Sequence, residues 1–178
     1  TCRSDFRESI RYLFQNASLL VVFLLAAILN LALVGLTIGA PIVVSKHLGI
    51  QSSFVGIIEV AMGLGGLVGS GLVGIWPHRF SFKGICRYVA MICFGVVPII
   101  VTLLSGPDEF AFAALAAGSA WVMAWASITS VEIVSFVQRS APKELCGKVL
   151  ALVYMALSCA TPIGQLVYGL AYDRWTPA

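Results

Sequence analysis

Two carboxyls, two amides and two indoles stand where this sequence is otherwise apolar. Glu59 lies about seven residues into one apolar run, about 10 Å along a helix axis at 1.5 Å per residue, and Glu132 sits near the far end of another. A carboxyl held at such depth can take up and release a proton. Asn30 is a lone amide just past the middle of its run, and it needs a partner on another helix if buried. Gln165 recurs with Thr161 and Tyr168 at related helical spacing. Trp121, Trp125, Thr129 and Glu132 also follow helical spacing, so a helix places them on one face. Two large rings side by side can line a cavity for an apolar or cationic ligand, by stacking or cation attraction. The same stripe serves equally well as packing, and either carboxyl can reach water or pair with a neighbouring group.

Residues 69 to 74, GSGLVG, offer a different chemistry on paper. Gly69, Gly71 and Gly74 match the Gly-x-Gly-x-x-Gly fingerprint that cradles a dinucleotide pyrophosphate. That fingerprint needs a strand before it and an acidic residue about 20 residues on. Here the preceding stretch is apolar throughout, and the next acidic residue is Asp108. Both requirements fail. Gly65 with Gly69, and Gly66 with Ser70 and Gly74, form instead small-residue stripes spaced by four, which let a second helix approach closely.

The elements that carry these residues follow from composition. Of 178 residues, 60% are hydrophobic and 11% charged, against about 25% charged in a soluble domain. No Asp, Glu, Lys or Arg occurs over 12–45, 60–78, 88–107, 110–131 or 149–172, and each run is near or above the roughly 18 to 20 residues that cross a bilayer core. Amides in lipid must bond within a helix or a closed barrel, and these runs lack the period-two alternation of barrel strands. The expected fold is therefore all-α, a polytopic transmembrane helical bundle of five spanning helices at 17–44, 52–76, 84–105, 110–137 and 148–172. Residues 1–16 read as an amphipathic lead-in with Phe6, Ile10, Leu13 and Phe14 on one face, and 173–178 as a short outer-side tail. An odd helix count and a first residue that is Thr give the expectation of a chain cut at both ends.

Charge sets the orientation. Arg3, Arg7, Arg11, Arg79, Lys83, Arg87, Arg139, Lys143 and Lys148 share one side, leaving Lys46 and Arg174 on the other. The positive-inside rule puts the first side, with the amino terminus, in the cytoplasm. This disposition also accounts for the net charge of +3 without a nucleic-acid partner. Cys2, Cys86, Cys93, Cys146 and Cys159 are scattered, without CxxC or Cys/His pairing, and read as apolar packing residues rather than metal ligands. The spans hold no His pair, no Ser/His/Asp set and no HExxH helix, so neither an enzyme nor a cofactor site is expected.

Three segments carry a family resemblance. GIWPHRFSFK, residues 74–83, resembles the loop signature Gly-x-x-x-Asp-Arg-x-Gly-Arg-Arg/Lys of the major facilitator superfamily: Gly74, Arg79 and Lys83 match, while His78, Ser81 and Phe82 replace the acid, the second glycine and a basic residue. QRSAPKELCGKV, residues 138–149, resembles the link before the family's eleventh helix through Gln138, Pro142, Glu144, Gly147 and Lys148, the last in place of arginine. SDFRESIRYLFQN resembles the segment leading into the seventh helix in exporters of the macrolide-efflux and enterobactin-exporter type.

The resemblance implies a partial major facilitator fold, helices seven to eleven, with the six-helix amino-terminal half and the twelfth helix as missing partners. It further implies a secondary active transporter in the plasma membrane, the bacterial inner membrane, exporting a small amphiphilic compound of drug or siderophore type. Proton antiport and rocking of two halves would drive export. A non-transporting membrane scaffold or sensor of the same fold is the alternative. The family's seventh and tenth helices line its central pathway, which makes Asn30, Trp121 and Trp125 the implied substrate contacts, with Gln165 as a weaker one. Glu59 and Glu132 are the candidate proton carriers. Arg79 and Lys83 can meet exposed carbonyls, anionic headgroups or Glu144, or can serve only to set topology.

Overall fold

The computed structural model describes residues 11–42, 53–105 and 109–175. Five long helices account for nearly all of them: α1 (Ala17–Ile42), α2 (Ser53–Ile75), α3 (Ile85–Ser105), α4 (Glu109–Ser140) and α5 (Lys143–Trp175). No strand occurs among the described residues. Each helix is long and apolar enough to cross a membrane, so the chain is an all-α polytopic helical bundle. Residues 1–10, Lys46, Asp108 and residues 176–178 lie outside the described residues.

The helix ends are set by local chemistry. A helical turn over residues 11–15 runs through Asn16 into α1, where the Asn16 amide and backbone N–H both donate to the Tyr12 carbonyl, at 2.9 and 3.2 Å. Leu13 of that turn is buried while Phe14 is 66% exposed, so the two do not share one environment. Between α2 and α3 the chain turns over residues 77–79 and a short 3-10 turn, Phe82–Gly84. The link between α4 and α5 is only Ala141 and Pro142, where the pattern predicted residues 138–147. The Pro142 carbonyl accepts from the amides of Leu145 and Cys146 at 2.9 Å each, and α5 starts there because a proline can precede a helix without losing a needed N–H. Glu144, Gly147 and Lys148 thus stand in the first turns of α5 rather than in a loop.

The chain divides into two compact units, Thr1–Gly35 with Ile133–Ala178, and Leu36–Glu132. In the second unit α2 and α4 run parallel, as two even-numbered crossings must. One apolar cluster joins Ile58 and Met62 to Ile99 and Leu115; farther along, Val73 meets Tyr88 and Ile128. Between these clusters the helices touch backbone to backbone. A Cβ on Gly65 would overlap the carbonyl of Ala120, and one on Gly69 that of Ala124. The predicted stripe is therefore real at Gly65 and Gly69, with Gly66 beside Ser127. It ends there. Ser70 is exposed and donates its hydroxyl back to the carbonyls of Gly66 and Leu67, at 2.9 and 3.2 Å, and Gly74 faces open space.

In the first unit α1 and α5, two odd-numbered crossings, also run parallel. Gly164 fits against Leu31 and Val34, and Gly35 lies under the Tyr168 ring. Large apolar side chains point outward along every helix, among them Ile28, Leu67, Phe94, Phe110 and Leu166. Lipid accepts such a surface, since it gives these groups no reason to hide. The cysteines follow suit: Cys86, Cys93 and Cys159 are exposed and Cys146 half-buried, all with free thiols.

Candidate functional site

An aromatic column forms the most specific feature of the second unit. Trp121 and Trp125 stand one helical turn apart on α4, their ring centroids 6.1 Å apart. Trp125 stacks on Tyr88 of α3 at 5.8 Å with a 26° interplanar angle, and Phe94 of α3 meets Trp121 edge-on at 6.4 Å. Phe80 extends the column from Tyr88 into the α2–α3 loop, at 6.1 Å. Such offset and edge contacts are the geometries that ring quadrupoles favour. The column explains why two tryptophans sit inside a span rather than at its rim: the Trp121 indole N–H donates to the Met91 carbonyl at 2.9 Å.

Tyr88 ties this column to the loop. Its ring is 1% exposed, its hydroxyl accepts from the Ser81 amide at 2.9 Å, and it donates to the Ser81 carbonyl at 3.2 Å. Gly84 leaves room for that hydroxyl, since a Cβ there would come within 2.9 Å of it. The loop that carries Arg79 and Lys83 is thus held at Ser81 by a side chain of the next helix. Arg79, Lys83 and Gly74 are exposed.

Beside Trp121 the α3 and α4 helices leave a cleft of about 210 Å³. Gly95 makes it possible, because a Cβ there would lie 2.6 Å from the Trp121 ring and 2.9 Å from Val122. Pro98, also in its lining, interrupts the bonding of α3 at that level.

The first unit carries the Asn30 amide. Its nitrogen donates to the Leu157 carbonyl at 2.9 Å and lies 3.4 Å from the Thr161 hydroxyl, which itself donates to Leu157 at 3.1 Å. Asn30 therefore has the interhelical partner it was expected to need, on α5. Gln165, one turn beyond Thr161, is exposed. The substrate-contact candidates fall into two sets, Asn30 and Gln165 in the first unit and the two tryptophans in the second.

The two carboxyls differ in setting. Glu59 is exposed on α2 next to the buried Ile58, whereas Glu132 is 3% exposed, at the far end of the α2–α4 pair. Thr129, one turn before Glu132, is 1% exposed and spends its hydroxyl on the Trp125 carbonyl at 2.7 Å. Of the residues around the α4–α5 link, Pro142 and Gly147 are exposed and Lys148 is half-buried. No group of three or more His, Cys, Asp or Glu side chains that could hold a metal occurs among the described residues.

Sequence reasoning missed Tyr88, Phe94 and Gly95. Tyr88 and Phe94 lie in an apolar run in which any residue can face any way, and Gly95 matters only because a ring comes to rest on it.

No curated protein and no solved structure matches the chain. A family model described as a transmembrane secretion effector matches residues 2–176, and with five apolar spans on which that match is laid, the chain belongs to this family of major facilitator membrane transporters.

Proposed function

We propose that the chain forms part of a proton-coupled exporter of small amphiphilic compounds in the bacterial inner membrane. It works there with a second six-helix half and a twelfth helix by alternating access, its amino terminus on the cytoplasmic side. The family match over residues 2–176 carries this reading.

Polar and aromatic groups at bilayer depth support the substrate class. In the first unit Asn30 and Gln165 supply hydrogen-bonding groups, and in the second Trp125 supplies aromatic surface, each by itself a contact of the kind an amphiphile uses; Trp121 lines the α3–α4 groove. Glu59 supports the coupling: it is exposed on its helix, and a carboxyl inside an apolar span is costly and so a candidate for function. Glu132, enclosed, is the second carrier. Arg79 and Lys83 face the cytoplasm, with Pro142 of the α4–α5 link and Glu144, Gly147 and Lys148 of the first turns of α5 on the same side.

The test is transport of fluorescent amphiphiles by the complete transporter in proteoliposomes under an imposed pH gradient. Glu59→Gln is expected to abolish gradient-driven accumulation while membrane insertion stays normal. Full retention of pH-driven transport removes Glu59 from coupling.

A further inference from the structure

We infer that the cleft between α3 and α4 is a binding groove for the acyl chain of a bilayer phospholipid. Its depth is the first ground. Phe94 lies 9 residues into α3 and Trp121 12 residues into α4, about 14 and 18 Å along the axes at 1.5 Å per residue, which puts the groove within the hydrocarbon layer. Its chemistry is the second. The lining includes no charged side chain, and the one polar side-chain atom, the Trp121 indole nitrogen, already donates to Met91. An occupant gains nothing there from a polar or ionic group.

Size and shape decide among apolar occupants. At about 210 Å³ the groove is smaller than the roughly 300 to 1,000 Å³ of pockets that enclose drug-sized ligands. Its shape also disfavours a helix. A helix that docks closely needs small residues open to it, as Gly65 and Gly69 of α2 are to α4. In the groove the glycines are already used: Gly95 and Gly118 are buried at the bottom, where a Cβ on Gly118 would lie 3.0 Å from the Gly95 carbonyl oxygen, while Phe94 at 66% and Trp121 at 43% exposure rise at the rim. A helix backbone cannot reach past two rings, but a narrow flexible chain can. The neighbouring outward side chains, Val97 and Val101, continue the apolar surface along α3. The groove is accordingly a slot on a lipid-facing wall, held open by the Trp121 hydrogen bond and by the absence of a side chain at Gly95.

The inference does not rest on the substrate reading, and its test reads lipid contact rather than transport. The full chain is reconstituted in phosphatidylcholine vesicles doped with a phosphatidylcholine that carries a diazirine at mid-chain, irradiated, and mapped by mass spectrometry. Adducts are expected on Phe94, Ala117 and Trp121 in excess of those on Leu64 and Leu67, which are equally apolar and exposed on α2. Ala117→Phe, which fills the groove from an exposed position, should bring labelling of Phe94 and Trp121 down to the α2 level and leave α2 unchanged. If that variant fails to insert, the smaller filler Ala114→Leu serves in its place. Equal labelling of the two faces, indifference to both fillers, or a groove unlabelled because a helix or a second copy covers it would each overturn the proposal. So would displacement of the label by an exported amphiphile at concentrations that leave α2 labelling intact, since the groove would then belong to the substrate.

Discussion

Both parallel helix pairs in this chain close on glycine, yet what the glycines meet differs. In α2–α4, Gly65 and Gly69 lie on the carbonyl groups of Ala120 and Ala124, so backbone touches backbone and nothing nearby can rotate away. In α1–α5, Gly164 meets the branched ends of Val34 and Leu31, at 3.0 and 3.1 Å from a Cβ, and Gly35 meets the Tyr168 ring at 2.7 Å. Those are tips of side chains. The second pair adds an interhelical hydrogen bond from Asn30 to Leu157. Lipid offers helices no hydrophobic reason to associate, so association must come from close packing or from polar bonds. The α1–α5 pair combines the two, whereas α2–α4 is packed backbone on backbone.

The contrast can be broken at three points. Gly69→Ala should be the most costly, because the new methyl forces α2 from α4; a loss of about 1 to 3 kcal/mol is expected from overpacking. Unfolding by denaturing detergent in mixed micelles, followed by helicity, measures it, and an unchanged midpoint would show that the two backbones do not touch. Next comes Asn30→Leu, which removes the polar bond and leaves an apolar side chain of similar size. About 1 kcal/mol is the scale of such bonds between membrane helices. A double-mutant cycle with Thr161→Val should give a smaller coupling than the single loss, because the Leu157 carbonyl is the nearer partner; coupling equal to the whole effect would reverse that ranking. Gly164→Ala should matter least, under about 1 kcal/mol, because the side-chain tips of Val34 and Leu31 that it meets can shift. A cost matching that of Gly69→Ala would erase the distinction between the pairs.

The polar side chains show how unevenly a site can be read from sequence. Asn30 was legible as a group in need of a partner, because an amide in lipid has few alternatives. That its partner would be a carbonyl one turn before Thr161 was not. Trp121 and Trp125 were legible as a pair on one face through their spacing of four. The direction of that face was not, and α3 proved to be what they meet. The small-residue stripe was half legible: Gly65 and Gly69 carry the contact, while Ser70 and Gly74, identical in spacing, face outward.

By itself the sequence determined five crossings, their approximate ends and the family. Charge-free runs of spanning length admit only helices in lipid, and alternation of crossings then requires odd helices to run parallel to odd and even to even, as α1–α5 and α2–α4 do. Only the tertiary structure decided the rotation of each helix about its axis. A soluble helix announces its inward face by an apolar stripe, but a helix apolar all round carries no such mark. Its rotation is settled by where another backbone can come close, by which carbonyl an amide or indole can reach, and by which ring a missing Cβ admits.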